Sequence, residues 1–231
     1  MAEFLRSRHT NISTTVLSPP VQLTRDQPIG LTSKRVVDLI LAFSGIILLT
    51  PLLLLCFLAC RLTSPGPALF RHRRVGFHGE IFDCLKFRTM VPNSEERLRK
   101  YLESNPDANA EWAATRKLRF DPRVTVIGSV LRKTSLDELP QLFNVLRGDM
   151  SIVGPRPVTQ EELVRYSSNV DAYLACRPGI TGLWQVSGRS GTSYDKRVAC
   201  DAFYARNWSM ILDAKIVIVT IPALLDSENA Y

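Results

Sequence analysis

The chain has 231 residues, enough for one large domain or for a domain with appendages. Its 29 basic and 22 acidic residues give a formal net charge of +7, which favours anionic partners: nucleic acid, phosphorylated substrates or an acidic membrane face. No aromatics interleave with a basic run and no zinc-finger spacing occurs, which argues against nucleic acid; five cysteines without a CxxC argue against disulfides or zinc and fit a reducing compartment.

Residues 1–30 are polar, with "SPP" and "DQP" breaks, and read as a flexible tail. Residues 39–60, "LILAFSGIILLTPLLLLCFLAC", carry no charge; as a helix they would extend about 33 Å, close to the hydrocarbon thickness of a bilayer. Lys34 and Arg35 precede this segment and Arg61 follows it, so both ends favour the cytoplasmic side. Pro51 removes a backbone donor at its middle, and the Thr50 hydroxyl can satisfy a freed carbonyl. A kinked spanning helix and a re-entrant one fit these residues equally well.

"TSPGPALF" at 63–70 is a turn signal, and two short strands flanking "GFHGE" predict a β-hairpin. Residues 94–117 predict surface helix interrupted at "SNPDA". "TSLDELPQL" at 134–142 follows. There Ser135 and Glu138 have capping-box spacing, and Leu136, Leu139, Leu142, Phe143 and Leu146 recur at helical spacing. A helical stretch is expected after Pro157, then the glycine-rich loop "RPGITGLWQVSGRSG" at 177–191 and a final helix through "WSMILDAKIVIVTIPALL". The apolar run at 216–225 is too short to span; it and the helix after Asp137 suit core or interfacial packing.

Asp137 and Glu138 are adjacent carboxylates among basic sets: Lys86 and Arg88 in "KFRTM", Arg132 and Lys133 in "LRKTS", and Arg156 in "GPRP". Arg177 and Arg189 bracket the glycine-rich loop. Arginine forks match phosphate oxygens, and glycines let backbone N–H groups approach an anion. Together these suggest a polyphosphate site beside two carboxylates.

These motifs resemble a known family. "LDELPQLFNVLRGDMSIVGPRP", "RPGITGLWQVSGR", "KFRTM" and "KRVVDL" before a proline-broken apolar helix are similar, in that family's order, to the small monotopic phosphoglycosyl transferases. These are bacterial sugar transferases that start polyprenyl-linked glycan assembly. "YLESNPDANAEW" and the ending "ENAY" look like the hexose branch, the undecaprenyl-phosphate galactose phosphotransferases of exopolysaccharide synthesis.

The resemblance implies an α+β fold. A re-entrant membrane helix-hairpin at 31–62 would break at Thr50–Pro51, and interfacial amphipathic helices and a small β-hairpin would belong to a cytoplasmic catalytic domain at 63–231. The enzyme would be monotopic in the bacterial inner membrane, with a homodimer left open. It would move hexose-1-phosphate, from galactose or glucose, from a UDP-hexose to undecaprenyl phosphate and release UMP. Asp137 matches the family's nucleophile, and Glu138 matches its partner as a Mg²⁺ ligand. Lys86, Arg88, Arg132 and Arg156 match phosphate-site positions, and Arg189, Asp201 and Asp213 nucleotide-sugar positions. The residues by themselves also admit a non-catalytic single-pass scaffold with a basic cytoplasmic domain.

Overall fold

Gly30, with φ of 87°, turns the chain into α1, Leu31–Thr63. The computed structural model describes residues 27–115, 118–188 and 193–225. Most of the expected tail, Arg189 and the "ENAY" ending lie outside the described residues. Pro51 sits inside α1, so the expected interruption at Thr50–Pro51 is not a gap in the helix. The Thr50 hydroxyl donates to the Ile46 carbonyl at 2.7 Å, a bond of the kind that lets a helix bend beside a proline.

α1 presents two faces. Lys34, Asp38, Ala42, Cys56 and Cys60 are buried, a stripe with helical spacing along nearly its whole length. Ala42, Ile46 and Leu49 pack with Cys84, Leu142, Val145 and Met150. Leu52, Leu53, Cys56 and Cys60 pack with Ala68, Phe87 and Leu131. The opposite face leaves Ile40, Phe43, Ile47, Leu48, Leu54, Leu55, Leu58 and Leu62 exposed. Such an area of unpartnered aliphatic surface suits hydrocarbon and not water.

Polar bonds fix the start of α1. Lys34 pairs with Asp213 at 2.6 Å, and Asp38 accepts from the Ser151 hydroxyl at 3.0 Å and the Ile152 amide at 2.9 Å. Arg35 donates to the Val145 and Leu146 carbonyls at 2.6 and 3.1 Å, near the end of the helix at Gln141–Arg147.

The predicted hairpin forms: β1, Leu69–Val75, pairs antiparallel with β2, Ile81–Phe87, across a 3₁₀ turn at Phe77–Gly79. Two surface helices follow, α2 at Ser94–Ser104 and α3 at Pro106–Thr115, with the break where "SNPDA" placed it. α4, Val126–Lys133, is capped by Thr125, whose hydroxyl accepts from the Gly128 amide at 2.9 Å. A 3₁₀ turn at Leu136–Glu138 leads to α5, Gln141–Arg147, ended by Gly148 at φ of 99°.

The second sheet is two short parallel strands, β3 at Ser151–Val153 and β4 at Gly179–Thr181. Gly154 and Gly179 cross so closely there that a Cβ on either would overlap the other's backbone. Between the strands run α6, Gln160–Leu163, a 3₁₀ stretch at Val164–Asn169, and α7, Val170–Leu174, so the expected helical stretch is broken into pieces. After β4 come α8, Leu183–Val186, α9, Tyr194–Asn207, and α10, Met210–Leu225. In α10, Ile216 is buried in the core while Ile211, Ile218 and Ile221 are exposed. The architecture is thus mixed helix and sheet with small sheets, as the α+β expectation required.

Candidate active site

Asp137 and Glu138 ride on the 3₁₀ turn between α4 and α5, not on the first turn of a helix. Ser135 adopts φ of 57° and its side chain makes no capping bond, so the capping box suggested by the spacing does not form. Glu138 faces β2 instead, where Lys86 Nζ donates to its Oε1 at 2.5 Å. A left-handed, non-glycine residue two positions before Asp137 is backbone strain of the kind found beside functional groups.

The two carboxylates are in different electrostatic states. Burial, reinforced by the neighbouring Glu138 charge, pushes Asp137 up to about 6, against Lys86 and Arg132. Burial also pushes Glu138 up, but Lys86, Arg156 and Arg74 outweigh it and hold that carboxyl below the usual range. Glu138 therefore stays ionised against a cation, while Asp137 gains and loses its proton near neutrality.

The buried acids differ in another respect. Asp38, Asp137, Asp201 and Asp213 are all buried, and three of them are hydrogen-bonded to other side chains. Among the described residues, Asp137 makes no hydrogen bond to, or ion pair with, another side chain, though its own backbone amide and the Lys86 and Arg132 charges favour its ionised form. Burial that holds a carboxyl up to about 6 costs the fold once that carboxyl is charged.

β1 supplies two residues that sequence reasoning missed. His72 lies opposite Cys84 and Arg74 opposite Phe82, on the sheet face that carries Lys86. Arg74 donates to Glu162 at 2.9 Å and also meets His72 Nδ1 at 3.1 Å. Burial, Arg74 and Lys86 lower the His72 pKa, so its neutral imidazole accepts from the guanidinium. Glu162 belongs to the capping box that Thr159 forms at the start of α6, which locks the acid holding Arg74. Cys84, at the base of this face, is pushed up to about 11 by burial and is not a reactive thiol.

Arg156 adds to the positive field on Glu138. Its guanidinium lies 5.4 Å from the Trp184 ring centroid, as does that of Arg197. Arg197 also lies 5.0 Å from the Tyr194 ring. Asp201, 1 % exposed, accepts from the Tyr166 hydroxyl at 2.7 Å, and burial raises it to about 7 against Arg197 and Arg156.

A family model described as "Bacterial sugar transferase" matches residues 29–227. The chain belongs to that family. It is 50 % identical over 222 residues to the "Exopolysaccharide production protein ExoY" of Sinorhizobium fredii, covering 96 % of this chain and 98 % of that one. It is 49 % identical to the "Undecaprenyl-phosphate galactose phosphotransferase" of Salmonella typhimurium, over 86 % of this chain and 41 % of that one. It is 47 % identical to the "UDP-glucose:undecaprenyl-phosphate glucose-1-phosphate transferase" of Caulobacter vibrioides, over 86 % of this chain and 72 % of that one. Membership makes this sugar transferase an enzyme, and the scaffold reading loses its support.

The transferase's structure brings Lys86, Arg132 and Arg156 to the carboxylates, since each acts electrostatically on Asp137 or Glu138. Arg132 also donates to the Thr89 hydroxyl at 2.9 Å, which ties α4 to the end of β2. Arg88 goes elsewhere. It donates to the Ser64 and Cys60 carbonyls at 2.7 and 3.3 Å and fastens β2 to the end of α1. Asp213 is likewise committed: it accepts from Lys34 at 2.6 Å, the Tyr204 hydroxyl at 2.7 Å and Trp208 Nε1 at 3.0 Å. This places Asp213 in the joint between α1 and α10. Arg189 falls outside the described residues.

Asn144 underlies the arrangement. Fully buried, it accepts from the Leu85 amide at 2.9 Å and donates to the Asp83 carbonyl at 2.8 Å and Asp149 at 3.0 Å. It therefore sets β2, with Lys86, against α5, which follows the carboxylate turn. Among the described residues no group of three or more His, Cys, Asp or Glu is placed to hold a metal ion. Two neighbouring carboxylates instead suit a hard cation such as Mg²⁺, which commonly shares one or two carboxylates with substrate phosphates and water.

Proposed function

We propose that this transferase moves hexose-1-phosphate from a UDP-hexose to undecaprenyl phosphate through a covalent phosphosugar on Asp137. Relatives named for galactose and for glucose support either hexose as the sugar. The observation that carries the reading is Asp137: buried, without a side-chain partner, and beside a paired Glu138 under Lys86, Arg74 and Arg156.

In the first step a carboxylate oxygen of Asp137 attacks the β-phosphorus, which bears the sugar. The bond from that phosphorus to the bridging oxygen breaks, and UMP leaves with the electron pair. In the second step a phosphate oxygen of undecaprenyl phosphate attacks the same phosphorus. The Asp137 oxygen–phosphorus bond breaks, restoring the carboxylate and giving undecaprenyl diphosphate hexose. The sugar's C1–O bond is untouched in both steps, so its configuration is kept.

Lys86, Arg74 and Arg156 would hold the phosphate oxygens and oppose the charge that builds as UMP departs. Glu138, kept ionised by the same cations, together with Asp137 would hold Mg²⁺, which when bound neutralises the diphosphate. Arg156, Arg197 and Trp184 form the polar and aromatic wall we assign to the nucleotide-sugar, with the buried Asp201 charge behind the two arginines.

We also propose that α1 enters and leaves the same, cytoplasmic, face of the inner membrane. A 33-residue helix would extend about 50 Å if straight, more than a bilayer's hydrocarbon core. Lys34 near its start and Cys60 near its end nevertheless both contact the catalytic domain. A helix whose buried face is held by one domain from Lys34 to Cys60 supports re-entry at Thr50–Pro51 over a crossing helix, with its exposed apolar face in the membrane and α4, α5 and α10 near the interface.

The test uses membranes containing the full chain, Mg²⁺ and UDP-hexose labelled in the sugar. The expected result is UMP together with lipid-extractable label, both absent for Asp137→Asn. Normal turnover by that variant would remove the nucleophile assignment.

A further inference from the structure

At the end of α1 a cleft of about 820 Å³ opens between Ser64, Gly66, Pro92, Asn93, Arg97 and Lys100. It is distinct from the carboxylate site, none of whose residues line it. Ser64 is 8 % exposed, and its hydroxyl has no hydrogen-bond partner. Arg88 Nη1 is also buried without a partner, directly behind Gly66, where the missing side chain leaves it room. Buried polar groups in native proteins are nearly always satisfied, so an orphan hydroxyl lining the cleft, with an orphan guanidinium N–H behind Gly66 in its wall, calls for a ligand.

The chemistry of the orphans selects the ligand class. An arginine N–H can only donate, and a serine hydroxyl can donate, so an acceptor-rich group is required. Of the charged side chains lining the cleft, Arg97 has no acidic partner among the described residues, while Lys100 and Glu96 pair at 2.6 Å and offset each other. Arg61 adds a further cation, donating to the Gly66 carbonyl at 2.9 Å. Buried donors backed by exposed cations match a phosphate.

Position selects the source of that phosphate. The exposed apolar face of α1 continues through Leu55, Leu58 and Leu62. It stops two residues before Ser64, where a bilayer's hydrocarbon would give way to headgroups. We propose that this cleft binds the phosphate headgroup of an anionic membrane lipid. The lipid fixes the depth at which α1 leaves the bilayer.

Thermal unfolding of the full chain in a neutral detergent, with no nucleotide sugar present, tests this independently of the transfer reaction. The probes are dioleoyl phosphatidylglycerol and dioleoyl phosphatidylcholine doped into the micelles, and free inorganic phosphate. Phosphatidylglycerol is expected to raise the Tm and phosphatidylcholine to leave it unchanged. Arg97→Glu should need roughly tenfold more phosphatidylglycerol for the same rise. Ser64→Ala should keep or raise the lipid-free Tm, because it removes an orphan hydroxyl, while its response to phosphatidylglycerol weakens. Equal responses to the two lipids, or wild-type responses in both variants, would overturn the proposal. A full response to inorganic phosphate alone would make the cleft a free-anion site and overturn the lipid assignment.

Discussion

Asp137→Asn is expected to stabilise the protein while abolishing its activity, with a gain that depends on pH. Folding lifts the Asp137 carboxyl from 3.8 to about 6. A shift of that size corresponds to about 3 kcal/mol, at 1.36 kcal/mol per pH unit. The sign follows from linkage. A group with a raised folded pKa contributes stability that is fully present below pH 3.8 and is lost as pH rises through about 6. At pH 8 the wild-type chain thus carries an unpaired buried charge, and the asparagine variant does not. For a chain of this size the difference is a Tm gain of about 6–12 °C at pH 8, shrinking towards zero near pH 4. Melts in neutral detergent with EDTA, at both pH values, read it directly. Groups away from residue 137 titrate alike in both proteins and cancel in the comparison. A variant no more stable than wild type at pH 8, or a gain independent of pH, would refute the reasoning that Asp137 is held ready at a cost to folding.

Lys86→Met should cut turnover by about a hundredfold or more, because it removes the cation bonded to Glu138 and facing the phosphates. It should also move the acidic limb of the kcat/KM profile, set in wild type by Asp137 near pH 6, to higher pH. Asp213→Asn should lower stability by about 3–5 kcal/mol in denaturant unfolding, since it leaves buried Lys34 unpaired. The loss should be smaller in Lys34→Met/Asp213→Leu, and a uniform loss would show that the pair does not join α1 to α10. Cysteine tags before Lys34 and after Arg61 should react with an impermeant reagent from the same side of sealed vesicles. Labelling from opposite sides would remove the re-entrant topology.

Local features were the legible ones. The carboxylate pair, the uncharged run and the hairpin around "GFHGE" could be located because each is specified by adjacent residues. The capping box at Ser135 failed because a long-range partner, Lys86, 52 positions away, claims Glu138. The bond between Asp213 and Lys34 was out of reach for the same reason, since the two lie 179 positions apart. The bonds of Arg88 to the end of α1 span 24 and 28 positions and were equally out of reach. β3 and β4, three residues each, are too short to show a period. His72 and Arg74 did carry a signal. Period-two alternation along β1 puts both on the face of Lys86, which a register for the hairpin would have shown.

The central claim is the covalent step, and trapping the intermediate tests it most directly. The full chain in lipid-depleted micelles, given Mg²⁺ and UDP-hexose labelled in the β-phosphate, should release about one UMP per enzyme and keep the label on protein. Peptide mapping should place the phosphosugar on Asp137, and adding undecaprenyl phosphate should move the label to lipid. UMP release only when undecaprenyl phosphate is present, with no label on the protein at any time, would contradict the account.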